Sequence, residues 1–227
     1  MAKELRTKAI TRHPLHLVRG PRSADQGRGR TTAPPLPRYL TQEELGRFRK
    51  AVLAGESARD SALFALMYRL GLRAVEVTEL QLEDLDLHRG RIRLRRAKGG
   101  DSKEYPLPQE LAPLLRRYLR KRTERGPYLF TGRQSNNQRG LAVLRVQQLF
   151  KHYAKAAGLP HSVASHALRH SIAVHSLEEG FGLEYVADLL GHRSTRSTAI
   201  YARVTTPARD EMMRRLDRSR YVVSWRR

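Results

Sequence analysis

The side chains best suited to chemistry in this sequence lie close together, within residues 165–201. His166 and Arg169 are spaced to face the same way on a helix, and His192 and Tyr201 follow them. Arginine and histidine donate hydrogen bonds to phosphate oxygens, and a tyrosine hydroxyl can act as a nucleophile. The stretch therefore indicates phosphate chemistry, provided that these side chains meet in space.

Tyr201 could not carry such chemistry alone. A phenol with a pKa of ~10 is only about one part in a thousand ionised at neutral pH. Another group must accept its proton or stabilise the charge that develops on the phosphate, and preorganised arginine and histidine donors suit that task. A core or surface aromatic is the alternative interpretation, because the chain has nine tyrosines.

The pairing of His166 with Arg169 is a weak signal by itself. With 36 arginines and nine histidines in the chain, about one or two H-x-x-R matches are expected by chance. His16 and His88 also begin such a match. The pair gains weight from its setting, since it opens a helix with apolar residues available for burial and precedes a second histidine and a tyrosine.

The histidines also allow a metal-site hypothesis. His166 and His170 are spaced to share one helix face, and His175 and His192 follow. However, the glutamate of an HExxH motif is absent, the chain has no cysteine, and carboxylates are lacking near the helix start. We therefore expect no metal site, and we interpret His170 and His175 as packing or supporting residues.

Composition limits the class of protein and its partners. A chain of 227 residues, 40% of them hydrophobic, has room for one sizeable domain plus tails. Its formal net charge of +22 favours a nucleic-acid partner. The absence of cysteine excludes disulfides. No apolar run is long enough for a membrane span or a signal peptide, so we expect a cytoplasmic protein that is associated with the nucleoid when bound to DNA.

The elements that must position these side chains are mostly helical. Thr41 and Glu44 form a capping box that predicts the first helix, and alternation over residues 91–96 predicts a strand. With a return strand at 103–107 this makes a hairpin, and Lys98 lies near its tip. The fold class predicted is α+β, mostly α-helical, with a small antiparallel hairpin sheet. Further helices are predicted at about 57–70, 72–82, 111–119, 141–157, 166–179, 183–190 and from 198 onward.

Four segments resemble, in order, the signature boxes of the tyrosine recombinase (phage integrase) family. They are GLRAVEVTEL, RIRLRRAKGGDSKEYPL, HALRHSIAVH and LLGHRSTRSTAIY, and the resemblance covers roughly residues 40–205. It implies that Arg73 and Arg169 clamp the scissile phosphate and that Tyr201 attacks it. The other roles that it implies are protonation of the leaving 5′ oxygen by Lys98, assistance to proton transfer by His166, a phosphate hydrogen bond from His192, and support of the first arginine by Glu76.

The reaction implied by this resemblance is a transesterification of DNA. The tyrosine would form a 3′-phosphotyrosyl link and release a 5′-hydroxyl, which then attacks a partner duplex. No cofactor or metal is implied, because the covalent link conserves the phosphodiester energy. Two alternatives remain: a non-catalytic DNA-binding accessory protein of the same fold, and a topoisomerase-like nicking-closing enzyme. Lys103 is a second hairpin lysine, so it competes with Lys98 for the role of general acid.

The expected organisation has three parts. Residues 1–38 are predicted to be a basic, disordered arm that is either a solvated tail or a grip on DNA phosphates. Residues 39–205 are predicted to be a catalytic domain. Residues 206–227 are predicted to be a C-terminal helix and tail that either contacts a neighbouring protomer or packs on its own domain. The resemblance implies double-stranded DNA as partner and a homo-oligomer, a tetramer on paired sites, or a related recombinase as companion. Family members have a helical core-binding domain before the catalytic domain, whereas this sequence has only the basic arm there. We therefore expect a short integrase, similar in layout to the fimbrial-switch invertases, or a fragment.

Overall fold

The structure is a computed structural model. The structure describes residues 37–96, 102–132, 139–192, 194–204 and 214. Helix α1, Gln42–Ala54, begins as predicted, because the Thr41 hydroxyl accepts the Glu44 backbone N–H at 3.2 Å and the Glu44 carboxylate accepts the Thr41 N–H at 3.0 Å. The predicted arm and C-terminal segment fall almost wholly outside the described residues.

Six further α-helices lie within the described ranges. They are α2 (Ala58–Arg69), α3 (Ala74–Glu79), α4 (Leu111–Lys121), α5 (Val143–Ala156), α6 (His166–Glu178) and α7 (Leu183–Leu190). Short 3-10 helices occupy Leu82–Asp84, Thr195–Ser197 and Ala199–Val204. The element predicted around Tyr201 is thus the last of these 3-10 helices. The chain follows the predicted α+β class.

A small antiparallel sheet carries the predicted hairpin. Strands β2 (Arg91–Leu94) and β3 (Lys103–Pro106) pair with Ile92 opposite Tyr105. A strand that the sequence did not reveal, β1 (Leu85–Asp86), pairs with the other edge of β2. Two residues are too few to show the alternation that marks a strand. Lys98 and the hairpin tip, residues 97–101, lie outside the described residues.

Helix α6 links α2 to the elements that follow it in the chain. Ten of its thirteen residues are buried, so neighbouring elements cover most of its circumference. One side contacts α2, while the other contacts α7 and the 3-10 helix Ala199–Val204. A separate apolar cluster fills this second side and includes Ile172, Leu190 and Tyr201. Helix α6 therefore delivers side chains to both halves of the core.

Candidate active site

A buried carboxylate, Glu76, organises the charged residues of the site. It is only 2% exposed and lies in the first turn of α3, where its Oε2 accepts the backbone N–H of Arg73 at 2.9 Å. Its Oε1 accepts a hydrogen bond from Arg73 Nη1 at 2.6 Å. The predicted support of Arg73 by Glu76 is therefore present in the structure as a contact on both the backbone and the side chain.

Two more guanidinium groups approach the same carboxylate. Nη1 of Arg96 lies 3.3 Å from Glu76 Oε2, and Nη1 of Arg169 lies 3.7 Å from it. We call Glu76, Arg73, Arg96 and Arg169 the Glu76 cluster. Three positive charges thus share one negative charge, and the excess is suited to an anion with several oxygen acceptors, such as a phosphodiester.

The charge state of the cluster follows from its burial and its contacts. Burial alone would raise the pKa of Glu76, but the Arg73 backbone N–H and the charges of Arg96, Arg169 and Arg73 outweigh it and lower that pKa. Burial, together with the neighbouring Arg73 charge, lowers the pKa of Arg169 to about 10. Both groups therefore remain charged at neutral pH, and the cluster keeps its positive excess.

Arg169 is held by backbone carbonyls as well as by Glu76. It is 4% exposed, its Nη1 donates to the Gly71 carbonyl at 2.5 Å, and its Nη2 donates to the Leu190 carbonyl at 2.6 Å. These two carbonyls lie at the ends of α2 and α7, so the guanidinium joins three helices. A planar guanidinium fixed in this way is oriented before any ligand arrives.

Arg96 is the member of the cluster that sequence reasoning missed. Its side chain is 1% exposed, and Nη2 donates to the Leu189 carbonyl at 2.5 Å. The signal was the alternation of β2: Ile92 and Leu94 face the core, and the same period carried two residues further places Arg96 inward. A charged residue at an inward position requires a buried partner, and Glu76 is that partner.

Gly191 allows Arg96 to reach this position. It ends α7 in the left-handed conformation, with φ of 63°. A Cβ atom at this glycine would lie 2.7 Å from the Arg96 side chain, so the close approach also requires a residue without a side chain. The predicted helix end at Gly191 therefore serves a second purpose.

His192 connects the Glu76 cluster to the turn before Tyr201. Burial, followed by the charge of Arg169, lowers the pKa of His192 to about 4, so the ring is neutral at pH 7. Its Nε2 accepts a hydrogen bond from Arg169 Nη2 at 3.1 Å, and its Nδ1–H then donates to Thr198 Oγ1 at 2.9 Å. Both ring nitrogens of the predicted phosphate donor are thus engaged, one by Arg169 and the other by Thr198.

Tyr201 lies beside this network and is buried. It is 2% exposed, and its hydroxyl lies 2.5 Å from Nδ1 of His170. Burial raises the pKa of its phenol, and the charges of Arg169 and Arg73 act against that rise. The nucleophile predicted from sequence is therefore close enough to the Glu76 cluster for its charges to act on the phenol oxygen.

His166 and His170 differ in their exposure and in their contacts. His166, the first residue of α6, is exposed, and desolvation together with Arg169 and Arg73 lowers its pKa. His170, which the sequence suggested was a packing or supporting residue, contacts the Tyr201 hydroxyl directly. The spacing of residues within α6 could not reveal this contact, because Tyr201 is 31 residues away.

Comparison with known proteins supplies the family. Residues 38–207 match the phage integrase family. The chain belongs to this family. The four segments that resemble its signature boxes lie within the matched range, so the resemblance read from the sequence is confirmed.

Several named proteins are similar to this member of the family. Tyrosine recombinase XerA of Pyrococcus furiosus is 36% identical over 180 residues, which are 79% of this chain and 62% of XerA. Type 1 fimbriae regulatory protein FimE of Escherichia coli K12 is 32% identical over 72% of this chain and 84% of FimE. The chain spans only 58–62% of the length of the XerA relatives.

Solved structures agree with this assignment. The crystal structure of XerA recombinase matches 84% of this chain and 68% of that chain, with 28% identity and a TM-score of 0.67. The pre-cleavage complex of XerH site-specific recombinase bound to difH substrate matches 76% of this chain and 52% of that chain, with 26% identity and a TM-score of 0.64. The α+β fold is therefore the catalytic-domain fold of the integrase family.

The hairpin lysines are the remaining part of the integrase pattern. Lys98 lies outside the described residues. Lys103, the competing candidate for general acid, has its Nζ 2.5 Å from Asp188 Oδ1 on α7, and Tyr105 of the same strand donates to the Asp188 carbonyl at 3.0 Å. These contacts join β3 to α7 and give Lys103 a carboxylate partner that is not a member of the Glu76 cluster.

Two further observations concern membrane-spanning helices and metal-binding groups. Among the residues that the structure describes, every helix is too short or too polar to cross a lipid bilayer. Over the same residues, no group of three or more His, Asp or Glu side chains is arranged to hold a metal ion.

Proposed function

We propose that this chain is a site-specific DNA recombinase that cuts and rejoins DNA through a 3′-phosphotyrosyl link at Tyr201. The observation that carries the proposal is a buried tyrosine adjoining a cluster with three guanidinium charges and one carboxylate. A cluster of that charge favours the pentacovalent phosphate, on which negative charge increases as the tyrosine attacks.

Each catalytic side chain has a separate role in the proposed reaction. Arg73 and Arg169 hold the nonbridging oxygens of the scissile phosphate. The Tyr201 oxygen attacks phosphorus, the P–O5′ bond breaks, and Lys98 gives a proton to the leaving 5′ oxygen. His166 and His192 assist proton transfer and phosphate binding. The reverse attack by a 5′-hydroxyl of a second duplex completes strand exchange.

The partners follow from the same proposal. Double-stranded DNA is the substrate, and the basic arm at residues 1–38 adds phosphate contacts. Strand exchange between two duplexes needs one nucleophile for each strand, so we infer a tetramer on paired sites, built from this chain or with a related recombinase. Residues 206–227 are assigned to contacts between protomers, and the protein works in the cytoplasm, at the nucleoid.

The proposal is tested by trapping the covalent intermediate. The protein is incubated with fragmented genomic DNA from its source, denatured with SDS, and the attached DNA is sequenced. We expect fragments that share one site, a free 5′-hydroxyl that polynucleotide kinase labels directly, and a blocked 3′ end. Tyr201→Phe should abolish the adduct, whereas Tyr185→Phe, at an exposed tyrosine, should leave it unchanged.

Other outcomes separate the alternative functions. DNA binding without any adduct would favour an accessory protein of the same fold. Relaxation of a supercoiled plasmid that lacks the recovered site would favour a nicking-closing enzyme. Either result would contradict site-specific recombination.

A further inference from the structure

The hydrogen-bond partner of the proposed nucleophile is His170, which the family resemblance did not assign. We propose that His170 accepts the proton of the Tyr201 hydroxyl during DNA cleavage, a role that rests on the proposed function. The basis is geometric: Nδ1 of His170 lies 2.5 Å from the Tyr201 oxygen, within the range in which a proton passes between a phenol and an imidazole.

Helix α6 places this acceptor next to the phosphate clamp. Arg169 and His170 are consecutive, and successive residues of an α-helix point about 100° apart. Arg169 therefore faces Gly71 and Leu190, while His170 faces the 3-10 helix that carries Tyr201. One turn of α6 presents both a ligand for the phosphate and a base for the nucleophile.

The protonation state of the His170 imidazole fits this role. Burial, followed by the charges of His166, Arg169 and His192, lowers the pKa of His170 to about 4, so its imidazole is neutral at pH 7. We assign its proton to Nε2, which leaves the Nδ1 lone pair for the phenol O–H. With its hydrogen turned toward His170, the Tyr201 oxygen keeps lone pairs for the phosphorus.

The other two histidines near Arg169 are placed differently. His192 uses both ring nitrogens, one on Arg169 and one on Thr198. His166 is exposed at the start of α6. Of the three, His170 is the histidine in hydrogen-bond contact with the phenol.

The substrate strengthens this base. A phosphodiester bound to the Glu76 cluster brings a negative charge close to His170, and a nearby negative charge raises the pKa of an imidazole. The surrounding groups that set this pKa are His166, Arg169 and His192. The base therefore becomes stronger when the substrate is in place, which brings its pKa closer to the pH at which it works.

The step balances without an added reactant. The P–O bond to Tyr201 forms as the P–O5′ bond breaks, and the phenol proton passes to His170 Nδ1. The leaving 5′ oxygen takes a different proton, from the general acid. In the rejoining step the imidazolium of His170 returns its proton to the Tyr201 oxygen as that oxygen leaves phosphorus.

The test measures single-turnover adduct formation on a nicked duplex carrying the trapped site, at saturating DNA. His170→Gln keeps an oxygen that accepts a hydrogen bond but takes no proton near pH 7, so we expect a loss of about 100-fold or more. The wild-type rate should be flat between about pH 6 and 8, and the variant rate should rise about tenfold per pH unit, because hydroxide then removes the proton.

His175→Gln is the matched control. His175 also lies on α6, and its Nδ1 lies 3.0 Å from a tyrosine hydroxyl, that of Tyr68, yet it has no part in the Glu76 cluster. This variant should cleave within about twofold of the wild type, since a general base contributes only where it meets the nucleophile.

Three results would overturn the role of His170. They are a His170→Gln rate close to that of the wild type, a lowered rate with a flat pH profile, and ¹⁵N spectra of the wild-type protein that place the ring proton on Nδ1. The last measurement needs no variant and so does not depend on how His170→Gln folds. A wild-type protein that forms no adduct contradicts the recombinase function itself, which distinguishes the two failures.

Discussion

Helix α6 contributes the histidine of two tyrosine-histidine pairs, and the surroundings of these pairs differ in charge. Tyr201 meets His170 at 2.5 Å, and Tyr68 meets His175 at 3.0 Å. Burial raises the pKa of both phenols. Arginines oppose that rise at Tyr201, whereas Glu110 and Glu178 add to the rise at Tyr68 and Arg69 acts against it. The neighbouring charges that act on the Tyr201 phenol are thus positive, whereas charges of both signs act on the Tyr68 phenol.

A hydrogen-bonded tyrosine-histidine pair alone therefore does not define the site. What distinguishes Tyr201 is the Glu76 cluster, whose members come from α3, the end of β2 and α6. Substitutions that disturb one pair and spare the other therefore test whether charge, rather than the hydrogen bond itself, separates the two regions.

The largest effect is expected from Glu76→Gln. It removes the single carboxylate that faces three buried or half-buried guanidinium groups, and loss of one partner from a buried ion pair costs about 3–5 kcal/mol. Urea denaturation should show this loss of unfolding free energy. The control is Glu178→Gln, which removes an exposed carboxylate near Tyr68 and should change stability by less than about 0.5 kcal/mol. Equal losses would contradict the central place of Glu76.

Arg96→Met should have the next largest effect. The variant keeps an unbranched side chain but leaves the Leu189 and Leu70 carbonyls without their donor, which costs about 1–3 kcal/mol. Arg93→Met, at the outward-facing position of β2, is the control, and thermal melting should find it close to the wild type. If Arg96→Met were as stable as the wild type, the cluster would not depend on its third guanidinium.

The free energy of unfolding should also fall in mild acid, and His170 should contribute more to this fall than His175. Burial lowers the pKa of His170 to about 4, from an ordinary value of 6.5, so between these pH values the unfolded chain binds more protons than the folded one. Folding is therefore favoured above pH 6.5 and weakens as the pH falls toward 4. His170→Gln should flatten this dependence in urea titrations at pH 5 and 7.5 by more than His175→Gln does, although burial lowers the pKa of both histidines.

The smallest effect is expected from Tyr68→Phe. The change removes the hydrogen bond to His175 but keeps the ring, so it should cost about 1 kcal/mol and leave adduct formation unchanged. A rate loss comparable to that of Tyr201→Phe would mean that the two pairs are not functionally distinct.

Sequence reasoning reached the elements that local rules determine. The capping box at Thr41, the alternation of β2 and the glycine at the end of α7 each depend on residues a few positions apart. The same reasoning could have predicted the burial of Arg96, because its position continues the inward-facing alternation of β2.

The contacts that assemble the site were beyond local rules. Arg96 meets the Leu189 carbonyl 93 residues away, and Arg169 meets the Gly71 carbonyl 98 residues away. Tyr201 lies on a 3-10 helix too short to have a recognisable period, so its approach to His170 rather than to His166 depended on how that helix packs against α6. The family resemblance supplied Arg73, Arg169 and Tyr201, but it left Arg96 and His170 without a role.

The most direct test of the central claim is to identify, by mass spectrometry, which tyrosine carries the nucleotide. The trapped adduct is digested with nuclease and protease, and the modified peptide is sequenced. The position of the Glu76 cluster beside Tyr201 predicts that the nucleotide is on Tyr201 alone among the nine tyrosines, and that Arg169→Ala, tested at saturating DNA, yields no modified peptide. A nucleotide on any other tyrosine, or an undiminished yield from Arg169→Ala, would contradict it.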